Sequence, residues 1–566
     1  MRPGRIELPT HPWQGRILPL NHGRLCMLCA PARIRTQNNG SEDRCDIHFT
    51  TGAKCKCQYT LSCYENQYQC VIIHLMKESF SIPNNVMQVV NTLHENNFET
   101  YLVGGCVRDL VLERDPKDWD ITTNATPEQM IPLFEKAVHE NDFGTVAVVF
   151  EDEALDSSVR TIEVTTYRME TTYSNNRHPD SIEYAKTLDD DLMRRDFTMN
   201  AMAFDPITKE FIDNYGGQVD IEDKMIRAVG NPHDRFQEDA LRMLRAVRFS
   251  AQLEFRVEQK THEAIDNHAE LLKNISGERI RDEFSKLVDS KHPEHGMQVA
   301  RETVLLQHFM PEMMEGYQVE QDRSHIYDVW THLLKAAQYG AEQDFPFHVK
   351  LAALFHDIGK PRTKGYDEKQ GVATFYGHEV VGARMVKNIM KRLKFSKDTS
   401  QKVEKLVRWH MFFVDVEQIT LSAVRRMVAN VGEELIWDLM QLRKCDRKGM
   451  GRPKAEPYNL RKYQSMIEEA LRDPVSVKQL KINGDYMVSE MKMKPGPRMG
   501  WMLHALLEEV LDDPTKNTLE QLEERVKDLD ELDDKTLRSL GEKGKEKQKE
   551  EDEKELKQIR KKHHVK

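Results

Sequence analysis

TYLVGGCVRDLVLERDPKDWD, residues 100–120, decides the fold of this chain. An apolar run, Tyr101–Val103, meets two glycines and then an amphipathic segment, which predicts a strand, a tight turn and a short helix. Gly104 and Gly105 would precede a helix N-terminus whose unpaired N–H groups attract anions, with Arg108 on the first turn as a phosphate partner. The stretch therefore predicts a phosphate cradle.

Two acidic residues follow the predicted helix. Asp118 and Asp120 flank Trp119 and lead into a predicted strand, Ile121–Thr123. Alternate residues of a strand share a face, so both carboxylates should point together while Trp119 turns into a core. Such a pair suits Mg²⁺, which binds carboxylates together with substrate phosphates and supports phosphoryl transfer. Either motif alone would favour a surface helix and a solvated acidic strand; together they predict a catalytic nucleotidyl-transfer site.

The same segment resembles the signature of the nucleotidyltransferase superfamily that includes DNA polymerase beta. The form is that of bacterial CCA-adding tRNA nucleotidyltransferases and the related poly(A) polymerases. One departure is Glu113, where members of the family usually have Gly. The exit from the short helix is therefore expected to differ slightly.

A second motif, DLMRRDFTMNA, occupies Asp191–Ala201. Arg194 and Arg195 can bind phosphate oxygens, Asp196 can orient an arginine, and Asn200 can reach a sugar hydroxyl. The motif matches RRDFTxNA of the same family letter for letter. It is expected to bind the nucleotide triphosphate and ribose.

A third motif, EDALR at residues 238–242, is expected in the first turn of a long helix. It matches the EDxxR motif of the family, in which an acid and an arginine imitate a base partner. A carboxylate accepts from an exocyclic amine and a guanidinium donates to a ring nitrogen or carbonyl, so Asp239 and Arg242 would select C and A over G and U. Without the resemblance, Glu238 and Asp239 would be acids that interact with the helix dipole. The arginines at three-residue spacing, on one side of the helix, are Arg242, Arg245 and Arg248.

Two further features belong to the head. Glu163, in the β-rich run Arg160–Thr166, is a candidate third catalytic carboxylate; the alternative is an exposed acid on an edge strand. Residues 168–184 are rich in Asn, Ser and Pro and predict a mobile loop. By the resemblance, this loop helps the enzyme to change its choice of nucleotide.

Beyond residue 300 the chain is expected to be helical and to carry a second site. His356 and Asp357 end an apolar helix, with Gly359 and Pro361 terminating it. A series of histidines and aspartates in this part of the chain resembles the H…HD…H…H…D pattern of HD phosphohydrolases. Its members are His332, His356, Asp357, His378, His410 and Asp446.

Imidazoles and carboxylates on several helices suit a divalent transition metal such as Ni²⁺, Mn²⁺ or Co²⁺, which activates water against a phosphate ester. The expected ligands are His332, His356, Asp357 and Asp446. His378 and His410 would be further ligands or phosphate contacts. Lys360 and Arg362 would hold the phosphate or cap the helix.

The 566 residues, 39% hydrophobic and 31% charged, predict about three or four domains in a soluble protein without a membrane anchor. The resemblances imply an α+β fold, with a small mixed-sheet nucleotidyltransferase head and an all-helical neck, HD domain and tail. The net charge of −11 argues only weakly against RNA binding. The expected segments are a leader at 1–75, the head at 82–205, a nucleotide-selecting neck at 206–300, the HD domain at 301–450, a helical RNA-binding body at 451–515 and a charged tail at 516–566.

Both ends of the chain differ in composition from the rest. Seven of the nine cysteines precede residue 71, at irregular spacings that include the CxxC of Cys26 and Cys29. We expect an untranslated or disordered leader, with Met76 as a start, rather than a zinc module. Cys106 and Cys445 alone remain beyond it, as expected for a reducing cytoplasm. The Lys- and Glu-rich tail predicts an exposed helix or disorder.

The resemblances thus imply a cytoplasmic enzyme that adds CCA to the 3′ end of tRNA from CTP and ATP, with a second phosphohydrolase activity. A poly(A) or A-adding polymerase is the nearest competing interpretation, since it shares the head motifs. Two more distant interpretations are an RNA-binding regulatory protein with an inactive head and a nucleotide hydrolase led by the HD domain.

Overall fold

The computed structural model describes residues 44–48, 54–58, 80–141, 144–151, 156–170, 182–321, 326–412, 420–472 and 477–565. The chain divides into two compact units, residues 1–81 and 82–566. In the first unit, strands β1 (Arg44–His48) and β2 (Lys54–Gln58) pair antiparallel. The remainder of the leader, including its CxxC, lies outside the described residues.

A seven-stranded mixed sheet forms the head and confirms the predicted fold class. Its order is β11-β10-β3-β4-β7-β6-β5, and β4 and β7 are its parallel pair. The strands are β3 (Thr100–Val103), β4 (Asp120–Thr123), β5 (Ala137–Asn141), β6 (Thr145–Val149), β7 (Thr161–Thr166), β10 (Ala203–Phe204) and β11 (Phe211–Ile212). Helix α1 (Asn84–Glu95) precedes the sheet, and α2 (Gly105–Val111) follows β3 as the strand–turn–helix prediction required.

Burial agrees with the predicted orientation of Trp119 next to β4. Trp119 is 3% exposed, as predicted, and Ile121 on β4 is also buried. Thr126 caps α3 (Pro127–Met130) with Pro127 at its first position, and a short 3₁₀ turn, Ile131–Leu133, continues it. A further one-turn helix, α4 (Ser157–Arg160), leads into β7.

The predicted loop at 168–184 has ordered ends. Strands β8 (Arg168–Glu170) and β9 (Ile182–Tyr184) pair antiparallel, so these six residues are strands and not loop. Its tip, residues 171–181, lies outside the described residues.

The neck corrects the prediction of a single long helix. Helix α7 (Pro232–Glu238) ends before Asp239, whose φ of −137° and ψ of 105° are extended, and α8 (Leu241–Leu253) begins two residues later. Glu238 and Asp239 therefore lie at a helix-to-helix junction and not in a first turn. This break places Asp239 on the wall of a cavity instead of along a helix face.

The remaining elements before residue 316 belong to the head, the neck and the start of the segment expected to hold the HD domain. They are α5 (Leu188–Met193), α6 (Gly217–Glu222), α9 (Gln259–His268), α10 (Gly277–Val288), α11 (Pro293–Glu302), α12 (Leu306–Phe309), α13 (Pro311–Met314), the 3₁₀ turns Thr198–Asn200 and Ala269–Asn274, and the parallel strand pair β12 (Met225–Ile226) and β13 (Arg256–Val257).

Helices also make up the part of the chain expected to hold the HD domain. They are α14 (Val329–Glu342), α15 (Phe347–Phe355), α16 (Lys360–Thr363), α17 (His378–Arg392), α18 (Lys397–Trp409), α19 (Leu421–Val431) and α20 (Ile436–Gly449). Helix α21 (Tyr458–Leu471) follows, beyond the expected boundary at 450. A two-stranded hairpin, β14 (Gly365–Asp367) and β15 (Val372–Thr374), lies between α16 and α17. In the described part of the chain, no helix is both long enough and apolar enough to cross a membrane.

The C-terminal segment has a core of its own. It comprises the 3₁₀ turns Val477–Gln479 and Pro514–Lys516 and the helices α22 (Gly484–Ser489), α23 (Pro497–Asp512), α24 (Leu519–Asp530) and α25 (Asp534–Lys562). Buried side chains from Leu480 to Leu537 form one apolar cluster. The expected boundary at 516 falls inside this core. The tail forms a helix, one of the two predicted alternatives, but α25 packs along α23 and is therefore not exposed throughout.

Candidate functional site

A cavity of about 480 Å³ lies where the head meets the neck. It brings together all the nucleotide-binding and catalytic residues predicted for the head except Glu163 and Glu238. The predicted residues that line it are Gly104, Gly105, Arg108, Asp118, Asp120, Arg194, Arg195, Asp196, Asn200, Asp239, Arg242, Arg245 and Arg248. The two aspartates beside Trp119 and the pair Asp239 and Arg242 thus face one space.

Asp120 begins β4 beside the parallel strand β7, where its register partner is Glu163. Burial raises the pKa of Asp120; Arg195 offsets part of this rise, and Asp118 adds to it. Burial also raises the pKa of Glu163, and Asp120 and Asp118 contribute. Both aspartates disfavour the charge on Glu163, and Asp118 disfavours that on Asp120; such a group of carboxylates fits a divalent cation bound by oxygen ligands. Glu163 lies beside the cavity without lining it.

At Gly104 the backbone lies close to two side chains of the cavity, as the glycine pair predicted. Its φ of +75° and ψ of −131° are accessible to glycine, and a Cβ there would lie 2.9 Å from Nη1 of Arg195 and 3.4 Å from Oδ2 of Asp120. The missing side chain leaves room at the centre of the cavity, between the carboxylate and the arginine.

The arginines of the second motif are held by an acid that the sequence analysis did not single out. Asp191, fully buried on α5, accepts from Nη2 of Arg194 at 2.5 Å through one oxygen and from Nη2 of Arg195 at 3.0 Å through the other. Burial alone would raise the pKa of Asp191, but the two arginines bring it below its usual value. Both guanidinium groups are therefore oriented before any anion arrives.

A second chain of contacts joins the head to the neck. Nη1 of Arg108 donates to Oδ1 of Asn200 at 3.0 Å, and Nδ2 of Asn200 donates to Oδ1 of Asp196 at 3.1 Å. Oδ2 of Asp196 accepts from Nε of Arg245 at 2.7 Å. Burial opposes the charge on Asp196, yet Arg245 and Asn200 lower its pKa to about 2. Asp196 thus orients an arginine, Arg245.

At the base-selecting motif, each predicted residue has a supporting partner. Oδ2 of Asp239 accepts from Nη2 of Arg279 at 2.7 Å, and Oδ1 accepts from the backbone N–H of Leu241 at 3.0 Å. Nη1 of Arg242 pairs with Glu238 at 2.5 Å, and Nη2 donates to the carbonyl oxygen of Arg194 at 3.0 Å. Glu238 therefore supports Arg242 from outside the cavity.

Sequence reasoning missed four residues of this site: Asp191, Leu241, Phe249 and Arg279. Arg279, on α10, lines the cavity although its segment was expected to be structural. Phe249 also lines it, and the guanidinium carbon of Arg248 lies 3.8 Å from the ring centroid, a cation–π contact. An acid three residues before an Arg-Arg pair was the available signal for Asp191.

Cys106 lies beside the cavity and takes no part in it. Its Sγ donates to the carbonyl oxygen of Val103 at 3.1 Å. Burial raises its pKa to about 12, with the charge of Asp120 contributing. Of the described cysteines whose side chains are placed, Cys106 and Cys445 are free thiols, and both are buried.

A second cluster lies among the helices of the HD segment and unites all six predicted metal ligands. Two triads, each with ligand atoms within 4.8 Å of one another, are formed by His332, His356 and Asp446 and by Asp357, His378 and His410. All six residues are buried.

Asp357 joins the two triads. Its Oδ2 is 3.1 Å from Nε2 of His332 and 3.3 Å from Nε2 of His356. Its Oδ1 is 3.1 Å from Nε2 of His378 and 3.4 Å from Nε2 of His410. The Nε2 atoms of His378 and His410 therefore lie about as close to Asp357 as those of His332 and His356 do.

The orientation of the rings fits metal binding. Nδ1 of His356, His378 and His410 lies 2.9, 2.7 and 2.7 Å from backbone carbonyl oxygens, so each ring presents Nε2 to the cluster. Burial would lower the pKa of His356, but Asp357 and Asp446 raise it to about 10, because both carboxylates favour positive charge beside them. Nitrogen and oxygen donors of this kind suit a divalent transition metal.

Lys360 and Gly359 border this cluster. Nζ of Lys360 lies 2.6 Å from Oδ2 of Asp357, which puts an ammonium group beside the metal ligands. A Cβ on Gly359 would overlap the carbonyl oxygen of His378, so the start of α17 can approach only a glycine. Arg362 instead pairs with Glu315, 2.6 Å away, and not with any of the six ligands.

Three family models match the chain. Residues 100–227 match the poly A polymerase head domain, 254–316 the "Probable RNA and SrmB-binding site of polymerase A", and 323–435 the HD domain. The head therefore belongs to the poly(A) polymerase class of nucleotidyltransferases. This agrees with the cavity and its carboxylates.

Relatives identify the family more closely. The CCA-adding enzyme of Bacillus cereus is 30% identical over 439 residues, 77% of this chain and 96% of that protein. The chain belongs to the CCA-adding enzyme family. The CCA-adding enzyme of Lactobacillus helveticus is 46% identical over 220 residues, 39% of this chain, and the chain spans about half of that relative's length, 53%.

A solved structure supports the fold. The CCA-adding enzyme of Bacillus stearothermophilus in complex with CTP aligns over 79% of this chain and 98% of that one, with a TM-score of 0.50 and 24% sequence identity.

Proposed function

We propose that this chain adds CCA to the 3′ end of tRNA, using CTP and ATP, in the cytoplasm. The observation that carries the proposal is the shared cavity, in which the carboxylates of Asp118 and Asp120 face the same space as Asp239 and Arg242. The proposed division of labour assigns transfer to residues 82–205, nucleotide selection to 206–300 and tRNA contacts to 451–515.

The nucleotide would be held by three groups of side chains. Arg194 and Arg195, fixed by Asp191, bind triphosphate oxygens, since guanidinium groups match phosphate in charge and geometry. Asn200, whose amide is already oriented by Asp196, is available for a sugar hydroxyl. Arg108 adds positive charge at the cavity wall.

Base selection would follow from hydrogen-bond direction. Cytosine and adenine both present an amino donor beside an unprotonated ring nitrogen, whereas uracil and guanine present a carbonyl oxygen beside an N–H. Asp239 accepts from the amino group and Arg242 donates to the ring nitrogen, so C and A satisfy both residues and U and G satisfy neither. Selection then needs no nucleic-acid template.

Asp118 and Asp120, with Glu163 beside them, would hold Mg²⁺. When bound, Mg²⁺ neutralises phosphate charge and lowers the proton affinity of the attacking hydroxyl. The side chains of the cavity keep the triphosphate and the 3′ hydroxyl in position, which lowers the entropic cost of transfer.

The experiment uses tRNA that lacks its 3′ CCA, with CTP, ATP and Mg²⁺, followed by sequencing of the products made with all four nucleotides. We expect addition to stop after CCA, and Asp120→Asn to lose it while Asp115→Asn, an exposed acid outside the cavity, retains it. A run of A would identify an A-adding polymerase. Unchanged addition by Asp120→Asn would refute the assignment of the carboxylates.

For the HD segment we propose a metal-dependent phosphohydrolase that acts on phosphorylated or cyclised 3′ ends. The six buried ligands support a divalent transition metal such as Ni²⁺, Mn²⁺ or Co²⁺, which when bound supplies an activated water. Lys360 lies where it can bind a phosphate oxygen. In hydrolysis the water oxygen bonds to phosphorus, and the departing ester oxygen takes up a proton. Absence of hydrolysis by metal-replete protein would refute this activity.

A further inference from the structure

Helix α20 carries an arginine that touches the metal cluster from outside. Nη1 of Arg443 lies 2.5 Å from Oδ2 of Asp446. The other oxygen of Asp446, Oδ1, is 3.5 and 3.7 Å from the Nε2 atoms of His332 and His356. Asp446 thus faces the cluster with one oxygen and Arg443 with the other.

The guanidinium of Arg443 also lies near the segment that supplies His410. Its central carbon is 5.8 Å from the ring centroid of Phe412, two residues beyond that ligand. Arg443 therefore occupies the border between two ligand-bearing elements. A group bound there would be next to, but distinct from, a group bound at the six ligands.

Arg447 lies one turn further along α20, on the same face as Arg443. No carboxylate of the described residues forms an ion pair with it. The Nε atoms of Arg443 and Arg447 are both buried, and neither has a hydrogen-bond partner among the described residues. Arg443 and Arg447 together place two positive charges near one carboxylate, Asp446, which is also a member of the cluster.

The lysines of the same helix are different. Lys444 pairs with Glu456, and Nζ of Lys448 lies 3.4 Å from the carbonyl oxygen of Pro453. The lysines thus have partners within the protein, whereas the arginine pair has unused donors. A solvated run of charge would not bury donors in this way, because an unpaired buried donor costs about 1–3 kcal/mol.

A phosphate group is the ligand that this arrangement fits. A guanidinium offers five N–H donors in a planar fork that matches phosphate oxygens. Two guanidinium groups together supply more positive charge than the single negative charge of a phosphodiester. Because Asp446 separates the arginines from the cluster, the phosphate held here is not the one hydrolysed. The substrate must then contain at least two phosphates.

We propose that Arg443 and Arg447 form a second phosphate subsite of the HD domain, which binds the phosphodiester next to the scissile phosphate. The substrate is accordingly a polynucleotide end and not a mononucleotide. This inference rests on the proposed hydrolase function. Arg443 also positions Asp446, so Arg447 is the residue to test.

The test compares hydrolysis of a nucleoside 2′,3′-cyclic phosphate with that of a trinucleotide ending in the same group, using the full metal-loaded chain. We expect the wild type to favour the trinucleotide in kcat/KM by at least about tenfold, and Arg447→Gln to remove most of this preference. The slope of log KM for the trinucleotide against log salt should fall by about one. Lys448→Gln, on the same helix, is the control and should behave as wild type.

Metal content, measured on each variant, shows that the cluster remains intact. A nucleoside cyclic phosphate that also carries a 5′-phosphate tests a terminal phosphate as the source of binding; if it matches the trinucleotide, the polynucleotide assignment is overturned. The subsite is overturned if the wild type has the same kcat/KM for both substrates, or if Arg447→Gln lowers kcat/KM equally for both.

If the wild type cleaves neither substrate, the hydrolase function fails and the subsite is decided by binding. Fluorescence anisotropy with a labelled trinucleotide 3′-phosphate then provides the measurement. A loss of at least about tenfold in affinity for Arg447→Gln supports the subsite. Unchanged affinity overturns it.

Discussion

Gly104 meets two requirements that no other residue type satisfies together: a positive φ and an empty Cβ position facing Arg195 and Asp120. We expect Gly104→Ala to destabilise the head by about 1–3 kcal/mol and to raise KM for CTP by about tenfold or more, since the new methyl group displaces the arginine. Urea unfolding and steady-state kinetics measure the two effects.

Gly216 is the matched control for this substitution. Its φ is +76°, and a Cβ there would meet no atom within 4 Å. Gly216→Ala should therefore reduce stability without changing KM. Equal kinetic effects of both variants would show that backbone strain, and not the crowding of Arg195, determines nucleotide binding.

Arg279 is the supporting partner of the base-selecting carboxylate. We expect Arg279→Gln to increase incorporation of UMP and GMP relative to CMP and AMP by about tenfold, because Asp239 loses the contact that fixes its Oδ2. Competition assays with pairs of nucleotides measure the ratio. Arg281→Gln, on the same helix but paired with Asp282, should retain wild-type selection. A fall in kcat with unchanged selection would contradict a positioning role.

Residues at fixed spacings within one motif could be predicted from the sequence, and residues that meet only through the fold could not. Asp118 and Asp120 were found because a spacing of two residues predicts side chains on one side, although the strand itself begins only at Asp120. Arg279 contacts Asp239 from 40 positions away, across a junction whose extended backbone no local pattern revealed. The chemistry of the cavity was therefore predictable, whereas its internal supports were not.

At the scale of elements, α25 shows how a highly charged segment can still pack. Gly541 and Gly544 lie against α23, where a Cβ on Gly544 would overlap the carbonyl oxygen of His504. Two glycines and a few leucines suffice for this contact, and composition alone suggested a solvated tail. Close backbone approach replaces the apolar side chains on which sequence patterns depend.

We expect Gly544→Ala to destabilise the C-terminal core, despite the higher helix propensity of alanine, because the two helices must separate. Gly500→Ala on α23 is the control: a Cβ there meets nothing within 4 Å, so it should stabilise by about 0.5–1 kcal/mol. Urea unfolding of both variants provides the comparison. Stabilisation by Gly544→Ala would show that α25 does not dock as described.

The helices of the HD segment should gain stability from metal. At a free metal concentration about 100-fold above Kd, one bound ion contributes about 2.7 kcal/mol, so Tm should rise when metal is added to chelator-treated protein. His332→Ala should reduce this rise, whereas His348→Ala, which pairs with Asp438 outside the cluster, should keep it. An identical rise in His332→Ala would exclude His332 as a ligand.

At the scale of the whole molecule, the cavity of the head and the HD cluster use separate residues. We expect Asp120→Asn to reduce nucleotide addition by about 1000-fold while hydrolysis of a cyclic phosphate continues. His356→Ala should abolish hydrolysis of the cyclic phosphate while nucleotide addition continues. Parallel assays of both reactions on the same preparations measure this. Loss of both activities in either variant would indicate that the two sites are coupled.

The buried thiols allow each half of the chain to be followed separately. Cys106 and Cys445 are shielded, and burial raises the pKa of both, so neither reacts with iodoacetamide until its surroundings open. Timed alkylation with peptide mass spectrometry would therefore give two separate rates. The alkylation rate of Cys106 reports local unfolding around β3, and that of Cys445 reports local opening of α20. Bound CTP should slow the alkylation of Cys106, and added metal should slow that of Cys445.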